Sequence, residues 1–372
     1  MKEKVCHITS AHRRYDLRIL KKECVSLAKE GYEVSLLVFD DLPDEDIDNV
    51  RIISVGDHKP NRVERIKSGK KILKKALILD SRIYHLHDPE LLWVGMKLRK
   101  QGKIVIFDSH EDVPVQIMDK TYIPKAIRKL ISYLYENYEK MCFKKFNGLI
   151  SVTPHIVDRL KRINKNTEMI TNYPIVVLEE ADESFKDRKV ICFVGGITYQ
   201  WNLEIILEAI EEMEGIELVL AGNANYRYLE LLKNMRGWSK VTYLGNIPHS
   251  EVKSVYAKSC IGMALNESSQ LRDYGSLGNT KIFEYMSAAL PIICTNYPLW
   301  KEIVQINQCG ICVDPRNKAE VKNAIEMLLS DVKFAQKAGN NGLLAIQREY
   351  NWKTQEKKLV DFYQKLLNNE NN

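Results

Sequence analysis

Short apolar segments that alternate with helical segments are the feature that most limits how this chain can fold. Lys4 to Ile8 and Tyr32 to Val38 are apolar along their length, and the segment between them, Leu17 to Lys29, has helical periodicity. Continuous hydrophobicity indicates strands that are covered on both faces, which is typical of parallel sheets. The pattern therefore predicts an α/β protein with doubly wound, Rossmann-like parallel sheets.

The alternation continues along the chain and is interrupted once. Residues 178–188 are acidic and lack apolar periodicity, and a second β/α series begins at Val190. A length of 372 residues also favours two cores over one. We predict an N-terminal domain at residues 1–177, a linker at 178–188 and a C-terminal domain at 189–353.

Further helices are expected at 62–79, 89–101, 125–146, 154–163 and 203–213, with strands at 82–87, 103–107, 148–152, near 169, and at 217–221, 241–244 and 261–264.

The stretch from Gly275 to Pro298 combines a glycine-rich loop, a short helix and an apolar strand. We expect Asn279, Thr280 and Lys281 in the first turn of that helix, where free backbone N–H groups attract anions. Lys281 adds a full positive charge beside them. The stretch therefore predicts a diphosphate site, although an ordinary loop with a solvated lysine has the same pattern.

Polar side chains follow the strands of the first domain. His12 and Asp16 follow the first strand, and two further groups follow the strands near residues 85 and 105. Because ligands of parallel sheets bind at the carboxyl ends of the strands, we expect a binding site at this edge. A metal ion is an alternative, since His85 and His87 share a strand face. The two further groups are His85, His87, Asp88 and Glu90, and Asp108, His110, Glu111 and Asp112.

Basic residues concentrate in the first domain. Residues 1–180 carry 33 Lys and Arg against 26 Asp and Glu, and eight of the basic residues fall between Lys59 and Lys75. The cluster suits an anionic membrane surface, and a solvated helix face is the alternative. Most of the apolar stripe of helix 125–146 is expected in the core, with a flank that can rest on a bilayer. The stripe comprises Ile127, Leu130, Ile131, Leu134, Tyr135, Tyr138 and Met141.

The cysteines and the N-terminus indicate a cytoplasmic protein. The eight cysteines are scattered, so we expect reduced core residues, and Cys309 and Cys312 form a Cys-x-x-Cys without a second pair. The first residues enter a strand without the apolar core of a signal peptide, and no apolar run approaches the ~18 residues of a membrane span. We expect a cytoplasmic location, with peripheral contact to the inner face of the membrane as an option.

The spacing Asn-x-Lys-x-x-Glu-Tyr-Met-x-Ala-x-Leu-Pro from Asn279 to Pro291 resembles the donor-site helix of glycosyltransferase family 4. The resemblance extends over nearly the whole chain, including Asp16-x-Arg18 and the Leu244 to Pro248 stretch. It implies the GT-B fold, in which two Rossmann-like domains face a central cleft. It also implies that the terminal helix, within residues 354–372, returns to the first domain.

The family resemblance also implies roles for individual residues. Glu284 matches the glutamate that holds the ribose of the nucleotide, and His110 matches a histidine near the reacting sugar. We assign catalytic roles to His110 and Lys281. The implied donor-binding residues are Gly195, Gly196, Gly222, Ile247, Ser276, Leu277, Gly278, Asn279 and Glu284, and the acceptor-side residues are His12, Asp16, Arg18, His87, Asp88 and Glu111.

Three positions depart from the family pattern. Many relatives have an arginine, a lysine and an acidic residue where this chain has Gly196, Trp201 and Ser276. Either Lys281 and an N-domain arginine such as Arg18 replace the missing charge, or catalysis is weak or absent. We favour replacement.

The resemblance leads to a hypothesis about function. We expect a retaining glycosyltransferase that moves a sugar from a UDP- or GDP-sugar to a glycan or lipid-linked saccharide in surface polysaccharide synthesis. No metal, no other cofactor and no nucleic-acid partner are expected. The alternatives are a catalytically silent GT-B partner subunit that binds glycan, and a sugar-nucleotide epimerase.

Overall fold

Two parallel β-sheets, each in its own part of the chain, organise the protein. The computed structural model describes residues 2–57, 61–110, 112–120, 123–176, 189–267 and 274–371. Unit 1 comprises Met1–Asn172 together with Trp352–Asn372, and unit 2 comprises Tyr173–Asn351. These divisions lie within five residues of the expected domain ends at 177 and 353. The expected linker at 178–188 lies outside the described residues.

The sheet of unit 1 has eight strands in the order β3-β4-β2-β1-β5-β6-β7-β8. All neighbours are parallel except the β3–β4 pair, so the carboxyl ends of the parallel strands share one edge. The strands expected from continuous hydrophobicity are present and their buried residues form the core. The strands are β1 Lys4–Ile8, β2 Glu33–Val38, β3 Glu45–Ile47, β4 Val50–Ser54, β5 Ile83–Leu86, β6 Ile104–Ser109, β7 Gly148–Ser151 and β8 Thr167–Met169.

The β3–β4 hairpin was not expected from the sequence. Its turn residues Asp48 and Asn49 have φ values of 51° and 63°. Left-handed conformations at both positions of a two-residue turn suit the twist of a hairpin, and Asp and Asn tolerate them. The Asp-Asn pair was the available signal, but the three residues of β3 are too few to show a strand period.

The helices of unit 1 cover both faces of its sheet. The first begins as a π-helical segment, Leu17–Cys24, and continues as α1. Asp16 caps this segment, because its Oδ1 accepts hydrogen bonds from the backbone N–H groups of Arg18 at 2.8 Å and Ile19 at 2.9 Å. The α-helices of the Met1–Asn172 segment are α1 Val25–Lys29, α2 Arg62–Leu79, α3 Leu92–Lys100, α4 Val113–Met118, α5 Lys125–Phe143 and α6 Pro154–Lys161.

The apolar stripe of α5 is largely outside the core, so our prediction that most of it is buried was wrong. Leu130 and Leu134 are each 58% exposed, and Tyr133 is 64% exposed. The helix packs instead through its C-terminal end, where Cys142 and Phe143 are buried, and against α4, where Ser132 Oγ donates a hydrogen bond to the carbonyl oxygen of Pro114 at 2.9 Å. Periodicity identified the apolar face of the helix, but it could not show whether another element covers that face.

Unit 2 has a six-stranded sheet in the order β11-β10-β9-β12-β13-β14, and every neighbouring pair is parallel. As in unit 1, the strands are short and nearly continuous in their burial, which is the consequence of helices on both faces. The strands are β9 Val190–Val194, β10 Glu217–Ala221, β11 Val241–Tyr243, β12 Ile261–Ala264, β13 Ile292–Thr295 and β14 Gly310–Val313.

The helix of the Gly275 to Pro298 stretch begins later than expected. It starts at Lys281 with Thr280 as its N-cap, so Asn279 and Thr280 lie before its first turn. Its buried residues, Ile282 and Phe283 among them, fix it against the sheet. The helices of unit 2 are α7 Leu203–Ile210, α8 Tyr226–Lys233, α9 His249–Lys258, α10 Lys281–Ser287, α11 Pro298–Asn307, α12 Lys318–Ser330 and α13 Val332–Arg348.

The last helix, α14 Trp352–Asn371, packs on unit 1, where the family resemblance places it. Trp352 donates a hydrogen bond from Nε1 to Ser26 Oγ at 2.9 Å. Phe362, Tyr363 and Leu366 are buried in the same core as β1, β2 and β5. The core of unit 1 therefore requires residues from both ends of the chain.

All eight cysteines are free thiols, and every one except the half-buried Cys312 is buried. The Sγ of Cys312 lies 3.7 Å from Cys294 Sγ on the neighbouring strand. None of the helices within the described ranges combines the length and apolar character that crossing a bilayer requires.

Candidate functional site

Two glycine turns lie at the carboxyl edge of the unit 2 sheet. Gly195 follows β9 with a φ of 141°, and Gly222 follows β10 with a φ of 135°. A Cβ on Gly222 would lie 2.0 Å from the carbonyl oxygen of Gly195, so only glycine permits this approach of the two backbones. The turns leave backbone close to the edge where ligands of parallel sheets bind.

The side chain of Lys281 reaches from the start of α10 to the end of β9. Its Nζ donates a hydrogen bond to the carbonyl oxygen of Val194 at 2.5 Å. The same ammonium lies 4.8 Å from the ring centroids of both Phe193 and Trp201, within the range of cation–π interactions. A Cβ added to Gly195 would lie 1.7 Å from Nζ. The predicted catalytic lysine is therefore held at the glycine turn.

The surroundings of Lys281 weaken its hold on its proton. Burial lowers the pKa of Lys281 to about 8, although the charge of Glu284 opposes the shift. The group is still mainly protonated at pH 7. A diphosphate beside the ammonium would supply the counter-charge that its surroundings provide only in part, and would raise this pKa.

The family resemblance leads us to expect a lysine at position 201, and the structure shows the contacts that Trp201 makes there instead. The indole is buried and contacts Phe193 at a ring-centroid distance of 5.1 Å. Together the two rings form an aromatic surface beside Lys281 Nζ. Position 201 therefore lacks the expected cation, and the Lys281 ammonium lies against the Trp201 ring instead.

The carboxylate of Glu284 already has two hydrogen-bond donors. Thr280 Oγ1 donates to Oε1 at 2.6 Å, and Tyr256 Oη donates to Oε2 at 2.9 Å. These bonds fix the orientation of a half-buried side chain at the start of α10. Each carboxylate oxygen can accept a further hydrogen bond, so the geometry permits a ribose hydroxyl as an additional donor.

The loop before α10 uses some of the backbone N–H groups that we expected to be free. Ser276 Oγ accepts from the N–H of Gly278 at 3.0 Å, and Asn279 Oδ1 accepts from the N–H of Lys281 at 3.3 Å. Leu277 is buried, which anchors the loop, whereas Gly278 is exposed. The anion site predicted here therefore depends more on the Lys281 ammonium than on backbone N–H groups. Ile247, another predicted donor residue, is half-buried in the loop after β11.

In unit 1, Asp88 organises the loop that follows β1. Its Oδ2 accepts hydrogen bonds from Thr9 Oγ1 at 2.8 Å and from the backbone N–H groups of Ser10 at 2.6 Å and Ala11 at 3.2 Å. Its Oδ1 lies 3.1 Å from Nδ1 of the partly exposed His12. Burial opposes ionisation of Asp88, but the hydrogen bond and charge of His12 and the other donors bring its pKa well below the usual range.

Arg18 is buried between two carboxylates. Its Nε donates to Asp108 Oδ2 at 2.9 Å and lies 3.0 Å from Glu23 Oε1. Burial raises the pKa of Glu23 well above its usual range, whereas the charge of Arg18 keeps the pKa of Asp108 well below its own despite burial. Arg18 thus neutralises Asp108 inside the unit. This differs from our expectation that Arg18 supplies charge to a diphosphate.

Three buried histidines, His7, His85 and His87, lie side by side at the end of β1 and β5. Nδ1 of His7 is 2.9 Å from Nε2 of His87, and the rings of His85 and His87 are stacked at a centroid distance of 4.6 Å. Tyr363 of α14 places its hydroxyl 2.8 Å from Nδ1 of His85 and 3.3 Å from Nε2 of His7. Burial lowers the pKa of each of the three, so they are neutral near pH 7.

His110 connects this cluster to the protein surface. Its Nε2 lies 3.3 Å from Asp108 Oδ2 and 3.4 Å from Nδ1 of His87, and its ring lies 5.1 Å from that of His12. The side chain is 22% exposed. Burial lowers the pKa of His110 to about 4, with Asp108 opposing and Arg18 reinforcing the shift. A neutral imidazole is thereby presented at the carboxyl edge of the sheet.

Within the part of the chain that the structure describes, two groups of side chains contain the donor types of metal sites. In each group the potential ligand atoms lie within 4.8 Å of one another. Arg18 already provides a counter-charge to both carboxylates, and hydrogen bonds among the imidazoles use several of the same nitrogens. A metal-independent site stays a prediction. The groups are His7, Glu23, His85 and His87, and His87, Asp108 and His110.

Comparisons with known proteins identify the family. The family model for group 1 glycosyl transferases matches residues 178–344, and the model for Glycosyltransferase Family 4 matches residues 19–173. Together they account for most of the chain. The chain belongs to glycosyltransferase family 4.

Two curated relatives of this family 4 chain match about half of it. An uncharacterized glycosyltransferase of Methanocaldococcus jannaschii is 29% identical over 182 residues, which are 48% of this chain and 45% of the relative. The alpha-D-kanosaminyltransferase of Streptomyces kanamyceticus is 24% identical over 186 residues, 48% of this chain and 46% of the enzyme. The matched segments thus span less than half the length of these relatives.

Solved structures show that the family 4 chain has the GT-B fold, as predicted. Sucrose-phosphate synthase of Thermosynechococcus elongatus superimposes with a TM-score of 0.80 at 18% identity, covering 98% of this chain and 99% of the other. HepE of Anabaena, solved with UDP and glucose, has a TM-score of 0.72 at 11% identity, with coverage of 98% and 100%. At these identities the likeness concerns the fold alone.

The structure brings some of the residues assigned from the family pattern together and separates others. In unit 2, Gly195, Gly222 and Lys281 come together at one turn, and Gly196 lies beside them in the sequence. In unit 1, His12, Asp88, His87 and His110 lie together, while Asp16 serves as a helix cap. Glu111 lies outside the described residues.

Sequence reasoning missed several residues that shape the histidine site of this family 4 chain. His7 lies within an apolar strand and Tyr363 within a terminal helix more than 350 residues away in sequence, so no local pattern relates them. Asp108 was noticed only as part of a polar stretch. Its position at the end of β6, two residues before His110, was the available signal.

Proposed function

We propose that this protein is a glycosyltransferase that moves a sugar from a UDP- or GDP-sugar to a glycan or lipid-linked saccharide, with retention of configuration, in surface polysaccharide synthesis. The observation that carries the proposal is the Lys281 ammonium held at the Gly195 turn. Family membership supports glycosyl transfer, and HepE, which shares the fold, was solved in complex with UDP and glucose.

The position of Lys281 suits the chemistry of the leaving group. As the glycosidic bond breaks, negative charge grows on the diphosphate, and a fixed cation lowers the barrier most when it needs no reorganisation. Lys281 is held by the Val194 carbonyl oxygen and by the rings of Phe193 and Trp201. The absence of the usual cations at Gly196 and Trp201 makes this lysine the main neutralising group in our proposal.

The half-buried Glu284 is proposed to hold the ribose of the donor. Thr280 and Tyr256 orient its carboxylate and leave acceptor capacity on both oxygens. In unit 1, His12 of the proposed acceptor-side group and His110, the proposed catalytic histidine, are both partly exposed. We propose that they contact the reacting saccharide, without a metal ion or other cofactor.

We further propose that α5 rests on an anionic membrane surface. Its exposed apolar side chains, including Leu130, Tyr133 and Leu134, form a surface that the described part of unit 1 does not cover. The basic residues Lys125 and Lys129 are exposed on the same helix. Apolar insertion combined with attraction to anionic lipids is the usual basis of interfacial helix binding. A lipid-linked acceptor would be presented at this surface.

A donor screen tests the proposed function directly. Thermal shifts with UDP-, GDP- and CMP-sugars should identify one nucleotide that stabilises the protein, because a ligand bound only by the folded state raises its stability. Lys281→Met keeps the length of the side chain but removes its charge, and we expect sugar transfer to fall by about 100-fold or more. Lys333→Met, at an exposed position on α13, is the matched control.

The outcomes of this screen separate the alternatives. Stabilisation by a nucleotide sugar without any transfer or hydrolysis would favour a silent partner subunit. Conversion of a UDP-sugar without an acceptor would favour an epimerase. An unchanged transfer rate in Lys281→Met would contradict the role of the lysine, and a lack of binding to every donor would contradict the proposal as a whole.

A further inference from the structure

Two histidine–aspartate pairs lie next to each other at the carboxyl edge of the unit 1 sheet. Nδ1 of His12 is 3.1 Å from Asp88 Oδ1, and Nε2 of His110 is 3.3 Å from Asp108 Oδ2. Both aspartates are buried, whereas both imidazoles are partly exposed. The two rings lie 5.1 Å apart. Each exposed imidazole thus has an interior carboxylate behind it, and different ring nitrogens are used in the two pairs.

The two carboxylates have different surroundings. Asp88 receives its other hydrogen bonds from uncharged donors, namely the hydroxyls of Thr9 and Ser10 and the backbone N–H groups of Ser10 and Ala11. Asp108 instead contacts a guanidinium, with Arg18 Nε and Nη2 both 2.9 Å from its Oδ2. Asp108 therefore has its negative charge balanced within the interior, and it can orient His110 without requiring that His110 be protonated.

The contacts of His110 determine which nitrogen carries its proton. An ionised carboxylate repels a nitrogen lone pair and attracts an N–H group, so Asp108 Oδ2, 3.3 Å from Nε2, favours the proton on Nε2, which then donates a hydrogen bond to His87 Nδ1 at 3.4 Å. Nδ1 is then the lone-pair nitrogen. Among the described residues, no hydrogen bond to Nδ1 of His110 is formed, and the ring is partly exposed. A neutral imidazole with its lone pair available to a ligand is the result.

Neighbouring imidazoles hold the ring of His110 in this orientation. His87 Nδ1 is 3.4 Å from His110 Nε2, and Nε2 of His87 is held by His7 at 2.9 Å. His7 in turn contacts the Tyr363 hydroxyl at 3.3 Å. All three supporting side chains are buried. A connected set of buried polar groups restricts rotation of its surface member, because each rotation would leave a buried partner without its hydrogen bond.

We propose that Asp108, balanced by Arg18, is a positioning residue that fixes His110 as a neutral Nε2–H tautomer, so that Nδ1 accepts a hydrogen bond from a saccharide hydroxyl. The identity of the ligand rests on the proposed function, but the tautomer does not. Electrostatics agree with the geometry, because burial lowers the pKa of His110 to about 4. Burial also acts against protonation of His12, but the hydrogen bond and charge of Asp88 raise its pKa overall.

Nitrogen NMR of the full-length protein with labelled histidine tests the tautomer without any need for turnover. We expect His110, assigned by comparison with His110→Gln, to be neutral with the proton on Nε2 near pH 7. Asp108→Asn should remove this preference, since an amide can donate to Nε2 as well as accept. Asp88→Asn, the matched control at the other pair, should alter the signals of His12 and leave the tautomer of His110 unchanged.

If Asp108→Asn fails to fold, the spectrum of the unmodified protein still tests the charge and the tautomer of His110. A charged His110, or one with its proton on Nδ1, near pH 7 would overturn it. An Asp108→Asn protein that folds and retains the Nε2–H tautomer would overturn the positioning role. These results are independent of donor binding, so they are distinguishable from a failure of the proposed function.

Kinetics then identify the hydroxyl. His110→Gln removes the imidazole Nδ1 that accepts the hydrogen bond. We expect kcat/KM to fall by about tenfold, which corresponds to one hydrogen bond of ordinary strength. If the hydroxyl belongs to the donor sugar, KM for the donor rises in both hydrolysis and transfer; if it belongs to the acceptor, only KM for the acceptor rises. Unchanged kinetic constants for both substrates would overturn the ligand contact at Nδ1.

Discussion

Gly195 and Gly196 are adjacent in the sequence, but their surroundings differ. Gly195 has a φ of 141° and its missing Cβ would lie 1.7 Å from Lys281 Nζ, whereas a Cβ on Gly196 would have no heavy atom within 4 Å. A structural lysine alone would tolerate a small displacement. A lysine that neutralises a diphosphate would not, because catalysis depends on sub-ångström placement of the charge.

We predict that Gly195→Ala displaces the Lys281 ammonium and weakens donor binding. The backbone strain should cost about 1–3 kcal/mol of stability, since L-residues rarely adopt this conformation. Gly196→Ala should change the free energy of unfolding by less than about 0.5 kcal/mol and weaken donor binding less than Gly195→Ala does, because its added methyl group does not contact Lys281. Urea unfolding and donor titration of both variants measure these effects. Equal donor affinity in the two variants would contradict the role of the turn.

The α5 helix allows a prediction at the scale of one element. Leu130→Glu combined with Leu134→Glu should reduce binding to anionic vesicles by at least about tenfold, because two apolar side chains no longer insert and two negative charges are added. Both leucines are more than half exposed, so stability should change little. Leu344→Glu, 61% exposed on α13 of unit 2, is the matched control.

Co-sedimentation with vesicles of anionic and of uncharged lipids measures this binding. Binding that is equal in the double variant and the control would show that α5 is not the contact surface. Binding of the unmodified protein to neither type of vesicle would show that the exposed stripe has another purpose.

At the same scale, the sequence predicted most elements and left out particular ones. Most of the parallel strands were correctly located because continuous hydrophobicity is a property of each strand itself, but β14 was not predicted. The β3–β4 hairpin was missed because a three-residue strand has no measurable period. The burial of α5 was wrongly predicted because coverage of an apolar face depends on distant elements, which a local pattern does not contain.

For the whole molecule, the buried histidines predict a pH dependence of stability. Burial lowers the pKa of His7, His85, His87 and His110 below the value near 6.5 that they regain on unfolding. The unfolded chain therefore binds more protons below about pH 6.5, and stability falls as the pH decreases from there toward about 4. Each such histidine contributes a slope of about 1.4 kcal/mol per pH unit.

Urea unfolding of the whole protein measures this slope when it is monitored at about pH 7 and about pH 5 by hydrogen exchange of the β1 and β5 amides in unit 1. His85→Gln should reduce it, since one proton-binding group is removed. Stability that does not change between the two pH values would mean that the histidines are protonated in the folded state.

The candidate site was predictable only in part at the scale of the molecule. Lys281, Glu284 and His110 were predicted from a short motif and from the family resemblance, and their roles stay predictions. The network behind His110 was not predicted, because Tyr363 and His7 are brought together only by the return of α14 to unit 1. The burial of Arg18 was equally hidden, since its partner Asp108 is 90 residues away.

The return of α14 also has a consequence for synthesis of the protein. A ribosome releases residues 173–351 before it has made the helix that completes the core of unit 1. Unit 2 can therefore fold on the nascent chain, while one face of the unit 1 sheet keeps apolar side chains uncovered until α14 has been made. During that interval unit 1 is the part of the protein that most needs protection by chaperones.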